Sequence, residues 1–153
     1  MTHKAHLQVD VNFQGEGYSL IDAACKTLDH VGAAPGEMTL VLTDEKTIQD
    51  LNAQFREVDE PTDVLSFPDG TTDIETGIVY FGDVVIALPI AQDHAMREGH
   101  TLNDELILLT VHGVLHLVGF DHLEGDEQRA MWSIQNEILQ LLGCSISSPK
   151  DLI

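Results

Sequence analysis

The sequence predicts an α+β fold, a small mixed β-sheet packed with about five helices. Three observations carry this reading. Stretches of period-two alternation interleave with stretches of helical period, in the order β-α-β-α-β-β-α-α-α. The run "IVYFGDVVIAL" is almost unbroken in its apolar character, as a strand covered on both faces must be. The segment "TLNDELILLTVHGVLHLVG" is apolar nearly all round, which marks a central buried helix.

The elements follow in order. "HLQVDVNF" sets Leu7, Val9, Val11 and Phe13 on one face and Gln8, Asp10 and Asn12 on the other, a strand with one solvated side. "YSLIDAACKTLDH" spaces Leu20, Ala24, Leu28 and Val31 as one helical face, and Ser19 with Asp22 makes a capping-box pattern at its start. "MTLVLT" is a second strand. "DEKTIQDLNAQF" is a helix with Ile48, Leu51 and Phe55 inward. "REVDEPTDVLSFPDG" is a loop leading into a short strand bracketed by Pro61 and Pro68, and "DGTTDIETG" is an exposed acidic loop. After the "IVYFGDVVIAL" strand, Pro89 sits where the first turn of a helix tolerates it. The buried helix opens on Thr101 and Asp104, a second capping pattern, and Gly119 ends it. "DEQRAMWSIQNEILQLLG" closes the series with Met131, Ile134, Ile138 and Leu141 inward and Gly143 as its cap.

Bulk properties bound the function. With 153 residues, one domain spanning 1–153 is expected, able to bury roughly 68–70% of its unfolded surface. Cys25 and Cys144 stand far apart and form no CxxC, so neither a disulfide framework nor a cysteine-rich metal site is implied. The start "MTHKAHLQVDVNF" lacks the apolar core of a signal peptide, and the longest apolar stretch is too short and too polar to cross a membrane. A soluble cytoplasmic protein without membrane partners is expected. The net charge of −19, from 26 acidic and 7 basic residues, argues against broad nucleic-acid binding and reads first as a solubilising surface.

The chemistry concentrates in "HGVLHLVGFDH", positions 112–122. His112 and His116 stand four apart and share one face of the buried helix. Two unpaired imidazoles inside an apolar helix are costly, and an ion that takes a lone pair from each removes the cost. Gly119 lets the chain turn so that His122 can return to the same ion. Three histidines and a water form an open tetrahedral site, the catalytic rather than the structural arrangement. His3, His6, His30, His94 and His100 have no such partners in the sequence and are read as surface or core residues. Zinc proteases with this spacing carry a glutamate after the first histidine, where this chain has Gly113. That glycine either leaves room beside the ion or allows close helix packing, and in both cases the usual protease base is missing.

"HGVLHLVGFDH" resembles the signature of the YbeY endoribonucleases, bacterial rRNA maturation factors. "NAQFREVDEPTDVLSFP" is similar to that family's arginine-containing segment and "GDVVIA" to its following strand, in the same order and separation. Phe120 replaces the tyrosine more usual in "GYDH", and the first 35 residues carry no signature. The resemblance implies an α+β fold and metal ligands at His112, His116 and His122. It implies zinc as the ion, with nickel also suited to imidazole. Arg56 is the implied catalytic arginine, acting beside the metal-bound His112. The implied activity is cleavage of single-stranded RNA in small-subunit rRNA 3′-end maturation, late ribosome assembly and ribosome quality control. The implied partners are ribosomal RNA, the small subunit, ribosomal proteins and assembly factors.

The residues fit that implication physically. A guanidinium such as Arg56 can grip a phosphate with two parallel hydrogen bonds. Asp83 and Asp121 are candidates to orient a ligand histidine, or else to cap local turns. Two other readings stand beside the nuclease: a metallopeptidase-like hydrolase with an unusual base, and a non-catalytic assembly factor whose zinc is structural. The latter needs a fourth protein ligand; no acid or thiol is obviously placed for it in the sequence, with Cys144 the one left open.

Overall fold

The computed structural model describes residues 2–121 and 125–146. Four strands and five helices follow in the order β1 (His3–Val9), α1 (Tyr18–His30), β2 (Gly36–Thr43), α2 (Glu45–Arg56), β3 (Val64–Thr72), β4 (Val79–Ala87), α3 (Leu88–Glu98), α4 (Leu102–Leu117) and α5 (Gly125–Leu141). The sheet is mixed, in the order β1-β2-β4-β3. The first three strands are parallel and β3 runs antiparallel to β4 as an edge.

The sheet is covered on both faces, which explains the continuous apolar run of β4. Val84 and Ile86 join Leu40, Leu42 and Val64 in the main core with α1, α4 and α5. Val85 and Ala87, one residue out of phase, join Leu65 and Ile48 of α2 in a smaller core on the other face. Helix α4 is buried along nearly its whole circumference, with Leu106, Leu109, Val111, His112 and Leu115 among its buried residues. Its ends match the sequence reading: the Thr101 hydroxyl accepts from Asp104 N–H at 3.1 Å, and Gly119 stands at φ +99°.

Several local expectations are corrected. The first strand begins earlier, at His3, and ends at Val9, because its pairing with Gly36–Leu42 stops there. Helix α1 is capped by Gly17, not by Ser19, whose hydroxyl lies inside the first turn and donates to Asn103 at the start of α4. The "DGTTDIETG" loop is partly strand, since Thr71 and Thr72 pair with Tyr80 and Val79 across a hairpin. Phe55 is exposed and stacks edge-on against Phe67, and Leu141 points to solvent; the inward polar place on α5 is taken by Gln135.

Gly113 is explained by packing. A Cβ built there would lie 2.5 Å from Val84 Cγ1, 3.1 Å from Val84 Cγ2 and 3.3 Å from Ser66 Oγ, and the Ser66 hydroxyl donates to the Gly113 carbonyl at 2.8 Å. The glycine lets α4 lie flat on β3 and β4. Gly113→Ala should therefore destabilise the protein despite alanine's better helix propensity. The expected net loss is up to about 2 kcal/mol, overpacking of about 1–3 kcal/mol set against about 1 kcal/mol of propensity. Thermal melting checks it; with Val84→Ala added, the loss should be smaller than the sum of the two single losses.

Candidate metal centre

The sequence blocks around Arg56, Asp83 and His112 meet at Gly113. Ser66 comes from the "DVLSFP" block, Val84 from "GDVVIA", and Gly113 from the histidine block itself. This contact holds the helix face carrying His112 and His116 in a set position relative to β3 and β4.

The two imidazoles approach closely. Their ring centroids are 4.6 Å apart at an interplanar angle of 81°, and their Nε2 atoms face each other at 3.1 Å. His112 is fully buried, and its Nδ1–H donates to Gln135 Oε1 at 2.9 Å. That bond places the proton on Nδ1 and turns the Nε2 lone pair toward His116. With no ion, one of the two nitrogens must carry a proton to make a bond between them. With an ion, both lone pairs can point at it. Two nitrogens each about 2.0–2.1 Å from a tetrahedral centre lie about 3.3 Å apart, so the observed spacing suits a shared ion.

Gln135 was not anticipated from the sequence. The available signal is its place on α5, four residues after the buried Met131 and three before the buried Ile138, so a polar amide stands on the apolar face. Gln135→Leu should preserve the helix but free the His112 ring. We expect metal affinity to fall roughly 10–100-fold, measured by competition with a chromogenic chelator.

The other candidate residues are dispersed. His122 lies outside the described residues. Asp121 is half-buried just beyond the exit of α4. Asp83, considered as an orienting group for a ligand histidine, lies on the opposite sheet face, since the strand alternates and Val84 is the neighbour that faces α4. Its carboxylate accepts from the Tyr80 hydroxyl at 2.5 Å, and it lines a groove of about 430 Å³ with Phe55, Phe67 and Val85. Arg56 ends α2 and is exposed. Among the described residues it forms no ion pair, whereas Arg97 and Arg129 are paired with Asp93 and Asp126. No described contact joins Arg56 to the histidines; α2 and α4 cover opposite faces, with β3 as the sheet edge. Cys144 is excluded as a ligand on geometry: its thiol lies 3.8 Å from the Asp104 carbonyl, and His112 is eight residues further along α4, about 12 Å at 1.5 Å per residue.

A second group of metal-ligating types lies near the start of α4. Asp63, His94 and Glu105 hold one ligand atom each within 4.8 Å of one another. Burial pushes the Asp63 carboxyl above its ordinary range; His94 partly offsets this and the neighbouring Glu105 adds to it. His94 and His100, surface or core residues on the sequence pattern, both stand against buried Glu105. The legible signal was Glu105, an acid inside an otherwise apolar helix.

The model of the family described as Endoribonuclease YbeY matches residues 3–143. The chain belongs to the YbeY family. It is 42% identical over 130 residues to the endoribonuclease YbeY of Corynebacterium kroppenstedtii, covering 79% of this chain and 64% of that one. To the YbeY of Persephonella marina it is 41% identical over 120 residues, covering 78% of each chain. A solution structure of a Thermotoga maritima protein matches with TM-score 0.56 and 26% identity, over 95% of this chain and 97% of that one. Family membership makes RNA cleavage the reaction class against which the histidine pair is to be read.

Proposed function

We propose that residues 1–153 form one metal-dependent endoribonuclease domain that cuts single-stranded RNA in small-subunit rRNA 3′-end maturation, late ribosome assembly and ribosome quality control. The observation that carries this is the His112–His116 pair, with facing Nε2 atoms and Gln135 setting the tautomer, in a chain of the YbeY family. His112, His116 and His122 would hold zinc, with nickel as the substitute imidazole also suits. Bound there, zinc would supply a Lewis acid for a phosphoryl oxygen or a water of lowered pKa.

The chain's own residues have separate tasks. Gln135 holds the His112 proton on Nδ1, and Asp121 is placed in sequence to orient His122. Arg56, free of intramolecular ion pairs among the described residues, grips a phosphate oxygen pair and stabilises its charge. An RNA strand crossing the β3 edge would meet the histidine face on one side and Arg56 on the other. The packing of Gly113 against Val84 counts against a peptidase, since a side chain there would enter the sheet. The position of Cys144 counts against a zinc closed by that thiol.

Charge sets how the substrate is reached. At −19 with 7 basic residues, few cations can line one cleft. Salt screening, with a Debye length of about 8 Å, weakens repulsion but supplies no attraction. Recruitment therefore depends on ribosomal proteins or assembly factors that present a basic surface on the small subunit in the cytoplasm. The test is a binding titration over a range of salt against free single-stranded RNA and against immature small subunits, paired with an RNA cleavage assay and a peptide-library assay. We expect RNA cleavage without peptide cleavage, weak binding to free RNA with a shallow salt dependence, and tighter binding to subunits. Tight binding to naked RNA that collapses steeply with salt would refute the recruitment model.

A further inference from the structure

We infer that Asp63, His94 and Glu105 form a second divalent-cation site, separate from the histidine pair, for a first-row ion of the manganese type. Three elements converge there: Asp63 immediately before β3, His94 on α3 and Glu105 in the first turn of α4. Glu105 lies seven residues before His112 on the same helix, about 10 Å along its axis.

The geometry is that of donors arranged around a gap. His94 Nδ1 lies 3.5 Å from Asp63 Oδ2 and 3.9 Å from Glu105 Oε2, aimed between the two oxygens yet too far from either for a good hydrogen bond. The remaining oxygen of Glu105 is held from behind by His100 Nε2 at 2.5 Å, whereas the Thr62 hydroxyl stands 3.5 Å from Asp63 Oδ1, no nearer than His94 stands to Oδ2. Glu105 therefore has one oxygen anchored and one left toward His94, the way outer partners orient metal-binding carboxylates.

Charge points the same way. The Asp63 and Glu105 side chains are only 7% and 5% exposed. Two adjacent buried carboxylates are costly unless positive charge compensates them. Among the described residues no lysine or arginine pairs with either; Lys26, Lys46, Arg97 and Arg129 are paired elsewhere. A divalent ion supplies the missing charge and closes the gap. Two carboxylate oxygens and one imidazole make a mixed hard and borderline donor set, which suits manganese better than an all-imidazole site does. His94, 35% exposed, leaves the ion an entrance.

The experiment counts ions on untagged protein equilibrated with Mn2+ at physiological salt and then freed of excess. Wild type, His94→Ala, Asp63→Asn and His116→Ala are compared, each checked for fold by circular dichroism. His94→Ala removes a partly exposed side chain, and Asp63→Asn keeps the shape. Each should lose about one ion per chain relative to wild type, and His116→Ala should keep that ion. Mn2+ should also broaden the His94 and His100 imidazole signals in the His116→Ala protein. If folded His94→Ala and Asp63→Asn bind as many ions as wild type, or folded His116→Ala binds none, the site does not exist and the cluster is compensated by protons. Because this site is scored by loss on His94→Ala, its failure is distinct from failure of the histidine pair.

Discussion

His116→Ala removes RNA cleavage and the zinc ion together: this is the largest effect we expect. His116 is the better probe of the pair because it is half-buried, whereas His112 is fully buried and bonded to Gln135. Removing His112 would leave a cavity and take from the buried Gln135 the ring it bonds at 2.9 Å. With His116 gone, the His112 Nε2 lone pair loses the nitrogen facing it at 3.1 Å. Affinity should drop beyond the roughly 10–100-fold expected for an orienting group. Chelation of the wild type should lower its melting temperature by roughly 5–10 °C, the equivalent of about 2.7 kcal/mol of ligand stabilisation in a chain of this size. The same chelator should lower the melting temperature of His116→Ala by less, since only an ion at the Asp63, His94 and Glu105 group is left for it to remove. Metal analysis, melting curves and cleavage of single-stranded RNA provide the readouts. A His116→Ala protein that cleaves at full rate without zinc would remove the histidine pair from the mechanism.

The second large effect is at Arg56. Arg56→Lys keeps the charge and discards the planar fork, so a bidentate phosphate contact becomes a point contact. We expect cleavage to fall about 100-fold or more, the scale of losing one transition-state donor. Fold and metal content should not change. Arg56 is exposed and unpaired among the described residues, and surface substitutions of that kind usually stay within about 0.5 kcal/mol. Arg56→Ala should lose at least as much activity. Equal cleavage by wild type, Arg56→Lys and Arg56→Ala would show that the arginine plays no part in the reaction.

The sequence by itself determined the order and type of the elements, because hydrophobic period is a local property. The helix Tyr18–His30, the Thr101 cap and the stop at Gly119 all follow from residues within a few positions of one another. The facing of His112 and His116 belongs to the same class, since four residues on a helix return to one side whatever surrounds them. Tertiary structure decided everything that depends on which side chain of one element meets which of another. Spacing left Gly113 with two explanations; its distance to Val84 selects close packing. Asp83 was a neighbour of the histidines in motif order, but strand alternation turns it to the other sheet face. Gln135 reaches His112 only because α5 packs on α4 with that register. Asp63, His94, His100 and Glu105 span four separate segments, and only the meeting of β3, α3 and α4 puts their charges in one desolvated place. Period is written along a chain, whereas the position of a buried charge is set by the packing of elements remote in sequence.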